Sequence, residues 1–129
     1  MKTPISLFLA YRGWFVANIP LVMEIPLVPQ LYDVDSRMVF YLDMAESQLI
    51  DLRVSRAELS GIPSSTYSSS ARVHQELIYG RELCNLKGWT RIDTTGRSVE
   101  EVAHEIVTIR AELIAEKSTE AAISSPFRP

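Results

Sequence analysis

The 129 residues are 47% hydrophobic and 22% charged, the composition of one ordinary globular domain with a single core. The formal net charge is -3, and Arg12, Arg37, Arg53, Arg56, Arg72, Arg81, Arg91 and Arg97 are scattered along the chain, which excludes a nucleic-acid surface of clustered Lys and Arg. Any arginine function is therefore expected to be local, at an anion site, and the single cysteine, Cys84, with no disulfide partner or metal-ligand spacing, reads as a small buried hydrophobe.

The apolar stretch at residues 5–22 is interrupted by Arg12 and Gly13 and is not followed by a small-residue cleavage pattern. It predicts neither a secretory signal nor a membrane span, and the expected compartment is the cytoplasm or an organellar matrix. Thr3-Pro4 starts a helix, since proline is tolerated in the first turn, and Gly13 stops it, giving a helix over residues 3–12. Phe15-Val16-Ala17, broken at Asn18 and Pro20, predicts a short buried strand. Residues 25–31, with Pro26 and Pro29, read as an irregular connector, and residues 38–42 as the second strand.

From residue 45 to 59 the spacing of Leu49, Leu52, Arg53 and Arg56 is helical, and it sets the two arginines about one turn apart on one face. Gly61-Ile62-Pro63 ends that helix, and a serine-rich loop at residues 64–70 leads to a second one over residues 69–87, stopped by Gly88. Residues 89–93 are the third predicted strand. Ser98 and Glu101 form a capping box for a last helix reaching residue 117, followed by a tail at residues 118–129. Strands joined through helices imply parallel pairing, so the expected fold is a layered α/β domain over residues 1–117. No strand precedes the first helix, and a parallel sheet wants cover on both faces, so the layer is expected to be incomplete at its amino end.

Lys2-Thr3 matches the last two positions of the phosphate-loop pattern G-x-x-x-x-G-K-[ST], in which backbone amides and the lysine hold phosphates and the hydroxyl residue binds magnesium. The dipeptide alone carries little specificity, and wider segments carry more. Lys2-Thr3-Pro4-Ile5-Ser6-Leu7-Phe8-Leu9-Ala10, Val16-Ala17-Asn18-Ile19-Pro20, Leu31-Tyr32-Asp33-Val34-Asp35-Ser36-Arg37, Leu52-Arg53 with Arg56, Glu76-Leu77, and Ile92-Asp93-Thr94-Thr95-Gly96-Arg97-Ser98 occur in register. Together, over residues 2–109, they resemble the regulatory proteins of pyruvate, phosphate dikinase and phosphoenolpyruvate synthetase, bifunctional enzymes of bacteria and plastids.

The resemblance implies a phosphate-loop-kinase-like fold lacking its first strand. It also implies a kinase that uses ADP to phosphorylate a threonine or serine of the target dikinase, inactivating it, and a phosphorylase that uses inorganic phosphate to remove that group as pyrophosphate. The implied ligands are ADP, magnesium and inorganic phosphate. The implied partner is the dikinase or synthetase, with no nucleic acid or membrane, and the implied location is cytoplasm or plastid stroma; a homo-oligomer is left open. Carried to this sequence, Lys2 is the phosphate-loop lysine and Thr3 the magnesium or phosphate contact. Asn18 positions substrate, Arg53 and Arg56 act as lid arginines, and Asp35, with Asp33 as its alternative, holds metal or accepts a proton. By analogy with nucleotide kinases, the loop Thr94-Thr95-Gly96-Arg97 lines the base. His74 and His104 read as surface or boundary residues without a carboxylate or serine partner.

Two departures from the family pattern stand out. The glycine-rich half of the loop and the larger amino-terminal region are not in this sequence, so the chain is expected to be inactive or weak alone. Where the family usually reads Gly-Leu-Thr-Ile, this chain has Tyr41-Leu42-Asp43-Met44, and Asp43 is expected to repel a phosphate donor. The alternatives are a non-enzymatic protein-binding remnant and a small-molecule nucleotide kinase.

Overall fold

The structure, a computed structural model, describes residues 2–61 and 70–124. The expected serine-rich loop lies almost wholly outside the described residues, as does the end of the expected tail. Helix α1 (Lys2–Tyr11) is followed by a long irregular segment, a short helix α2 (Gln30–Asp33) and a 3-10 turn (Ser36–Met38). Then come strand β1 (Phe40–Asp43), helices α3 (Glu46–Ser60) and α4 (Ser70–Lys87), strand β2 (Thr90–Asp93) and the long helix α5 (Val99–Ser124).

The helix ends follow from local chemistry. Gly61 and Gly88 adopt positive φ values of 68° and 70°, which let α3 and α4 terminate in the left-handed conformation that a β-carbon disfavours. The Glu101 amide donates to the Ser98 hydroxyl at 3.2 Å, the expected N-cap of α5. That helix continues to Ser124, beyond the expected stop near residue 117, because no proline or glycine intervenes and Ala121-Ala122 favour the helix.

β1 and β2 pair in parallel, with Phe40 opposite Thr90 and Asp43 opposite Asp93. The sheet among the described residues has two strands, not three. Phe15-Val16-Ala17 is irregular and its side chains are exposed, Phe15 fully so. A short apolar run becomes a strand only where a neighbour takes its backbone hydrogen bonds, and no such neighbour lies alongside it among the described residues. The expected connector over residues 25–31 instead leads into α2, with Leu31 buried.

Alternation along the strands divides the sheet into two chemically different faces. On one face Phe40, Leu42 and Ile92 pack with Ile5 and Leu9 of α1 and Val102, Ala103 and Ile106 of α5. α1 thus finds its cover on α5 and the sheet. The other face carries Tyr41, Asp43 and Arg91 beneath α4, and α3 packs on α4 from outside. Cys84 is buried, as expected, and burial raises its thiol pKa.

Candidate functional site

Lys2 and Thr3 occupy the first turn of α1, where unpaired backbone amides favour anions. Asn18 is not at a strand end. It lies in the irregular segment that returns toward the start of α1, and its side-chain amide donates to the Thr3 hydroxyl at 3.2 Å. Two of the sequence-predicted site residues are thereby joined, fifteen positions apart in the chain. Thr3 is exposed and its oxygen is held in place, which suits a hydroxyl ligand for magnesium whose remaining ligands are phosphates and water. Among the described residues no cluster of three or more His, Cys, Asp or Glu side chains could hold a metal by itself.

The other predicted residues are engaged elsewhere. Arg53 of α3 pairs with Glu76 of α4 at 2.5 Å, while Arg56 is exposed on the same helix. Glu76 also takes Arg72 Nε at 2.9 Å, and Arg72 reaches across to Glu24 in the segment after α1. The hydrogen bonds from Arg72 hold the Glu24 carboxyl down to about 2. Asp35 caps the 3-10 turn, accepting from the Arg37 amide at 3.0 Å and from its side chain, and Asp33 is exposed at the end of α2.

The loop after β2 is tightly knitted. The Thr94 hydroxyl is buried and donates to the Asp43 carbonyl at 2.8 Å. The Thr95 hydroxyl donates to Asp93 at 2.7 Å and accepts from the Ala45 amide at 2.7 Å, tying this loop to the start of α3. Those bonds from Thr95 keep the Asp93 carboxyl below its ordinary range. Arg97 donates to the Asp93 carbonyl at 3.1 Å and pairs with Glu105. No hydrogen bond or ion pair joins Thr95 or Arg97 to the Lys2–Thr3–Asn18 group among the described residues.

Asp43, expected to repel a phosphate donor, has its own charge compensated within the fold. Its side chain is about 1% exposed and takes Arg81 through Nε at 2.8 Å and Nη2 at 3.1 Å, Arg91 through Nε at 2.5 Å, and the Met44 amide at 2.8 Å. Asp43 thus lies between two guanidinium groups. His74 and His104 are both exposed, as expected, but Glu46 lies 3.1 Å from His74 Nδ1, a carboxylate neighbour the sequence did not suggest. Arg81 and Arg91 escaped the sequence reading because they lie far along the chain from Asp43 and belong to no local motif. The unusual Asp43 was the only signal pointing to them.

A separate groove of about 480 Å³ runs between α1 and α5, lined by Phe8, Arg12, Trp14, Glu100, His104 and Val107. Arg12 stacks over Phe8 at 4.4 Å and Arg110 over Trp14 at 4.8 Å.

The parallel pair flanked by helices defines a small α/β domain, consistent with a kinase-like class. No solved structure matches the chain. A family model described as kinase/pyrophosphorylase matches residues 1–107, and the chain belongs to that family. Curated relatives named pyruvate, phosphate dikinase regulatory protein include one from Chloroflexus aurantiacus, 39% identical over 109 residues, covering 84% of this chain and 39% of the relative. Those from Erythrobacter litoralis (40% identical, 86% and 40% covered) and Geobacter sulfurreducens (39% identical, 82% and 40% covered) are similar. The chain thus spans about 40% of the length of the curated relatives it matches. No helix among the described residues is long and apolar enough to cross a membrane.

Proposed function

We propose that this chain supplies part of a phosphoryl-transfer site that regulates pyruvate, phosphate dikinase or phosphoenolpyruvate synthetase. In that reading ADP donates a phosphoryl group to a threonine or serine of the target and inactivates it, and inorganic phosphate later removes the group as pyrophosphate. The observation that carries the reading is the family match over residues 1–107, with relatives named as dikinase regulators.

Lys2 and Thr3 are the residues proposed to meet the nucleotide phosphates, with Asn18 holding the Thr3 hydroxyl in place; magnesium, when bound, neutralises phosphate charge at Thr3. Arg53 and Arg56 are proposed to approach the phosphates from the α3–α4 pair. That role requires Arg53 to leave Glu76, so the pair acts as a latch on this helix hairpin. Asp35 is proposed as the proton acceptor, and Thr95 and Arg97 as the loop beside the nucleotide base. A second reading, a non-enzymatic binding module, is favoured by one observation: Leu7, Tyr11 and Phe15 are exposed in succession along α1 and the segment after it.

Calorimetric titration of ADP with magnesium into the chain, alongside Lys2→Ala, tests the nucleotide reading. Saturable binding that the substitution abolishes is the expected result, followed by labelling of a dikinase threonine. A folded chain that gives no binding heat favours the binding module.

A further inference from the structure

The charge at Asp43 is more than balanced. Arg81 makes a two-point contact with the carboxylate, donates also to the Met44 carbonyl at 3.4 Å, and the Met44 amide takes one of the same carboxylate oxygens. One arginine is enough to neutralise a buried aspartate, yet Arg91 is held there as well. Counted against Asp43 alone, the two guanidinium groups carry one positive charge in excess, and the charges of Asp93 and Glu46 act on Arg91 and Arg81 from further out. The outer edges of both guanidinium groups are open, since the Arg81 side chain is 37% and that of Arg91 53% exposed. Among the described residues, no hydrogen bond or ion pair engages Arg81 Nη1 or the two terminal nitrogens of Arg91.

The neighbouring acids have other hydrogen-bond partners as well. Asp93, opposite Asp43 in the sheet, receives the Thr95 amide and hydroxyl, although its charge also lies in the field of Arg91. Glu46 faces His74. Asp43 ends β1 while Arg91 is the second residue of β2, opposite Tyr41, so the cluster runs across the polar face of the strand pair. Guanidinium forks held at fixed angles suit tetrahedral oxyanions better than flexible ammonium groups do.

We propose that Arg81 and Arg91 form a binding site for a phosphate-type oxyanion, with buried Asp43 as the positioning residue that holds both guanidinium groups. This site is built from different residues than the Lys2–Thr3 start of α1 and stands or falls separately from it.

Inorganic pyrophosphate is the probe. Titrated into the full chain without nucleotide, it should move the guanidinium Nε–H resonances of Arg81 and Arg91 in a saturable way. Arg91→Gln, which leaves Asp43 paired to Arg81, should weaken binding about tenfold, the cost of one charge-assisted contact, while Arg12→Gln in the turn after α1 leaves it unchanged. Arg91→Lys, keeping the charge without the fork, should fall between. Shifts that rise linearly without saturating, or an Arg91→Gln chain that binds as tightly as the parent, would overturn the site. In Lys2→Ala the Arg81 and Arg91 shifts should persist. Their loss there would place the anion at α1 and overturn the proposal while leaving the nucleotide reading intact.

Discussion

Tyr41 lays its ring and hydroxyl against the α-carbon of Gly80 on α4, so closely that a methyl group added at Gly80 would collide with the phenol. Burial is the main cause that pushes the Tyr41 hydroxyl up to about 12, with the negative charge of Asp43 next. A large residue on the strand and an absent side chain on the helix are therefore one packing solution. Gly80→Ala should destabilise the chain by about 1–3 kcal/mol through overpacking, more than offsetting its gain in helix propensity. Combined with Tyr41→Leu, most of that penalty should disappear, and a urea denaturation double-mutant cycle measures the coupling. Additive single effects would show that the contact is not the source of the cost. Tyr41 and Asp43 stood out in the sequence because they break the family pattern. What they required, Gly80, Arg81 and Arg91, did not stand out, since compensation across a fold has no local signature.

Helix ends were the most legible elements because each is decided by a few adjacent residues. Gly61, Gly88 and the Ser98 cap fall where the sequence places them, and the helix pair over α3 and α4 was visible from apolar spacing. Ser98→Ala should cost about 1 kcal/mol, read as a lower urea midpoint with an unchanged denaturant slope, because one amide of the first turn of α5 loses its acceptor. Strands were harder. Residues 15–17 are apolar like residues 40–42, but among the described residues only the latter lie beside a strand that completes their hydrogen bonds. Of the site, the Thr3 and Asn18 contact joins two residues singled out in sequence. The Arg53–Glu76 and Arg72–Glu24 salt bridges were hidden because each joins α4 to another part of the chain.

At the scale of the molecule, the chain is a parallel α/β layer whose apolar face is closed by α1 and α5 and whose polar face is roofed by α4. That arrangement follows from connecting two parallel strands through helices, which the order of elements already implied. The kinase/pyrophosphorylase family supplies the functional context, and the ion pairs at Asp43 tie β1 to α4 and β2.

The pairing of β1 with β2 joins residues about fifty positions apart, with α3 and α4 between them. Closing so long a loop costs chain entropy before any ladder bond forms, whereas the two helices meet through nearer contacts. We therefore predict an order of assembly in which the helix pair forms in the folding transition state and the sheet closes late. In stopped-flow chevrons Leu77→Ala on α4 should mainly slow folding, while Ile92→Val on β2 should mainly speed unfolding. The reverse pattern would make the sheet the nucleus. A late-closing sheet means that the oxyanion cluster, shared between β1, α4 and β2, comes into existence only in the last step of folding.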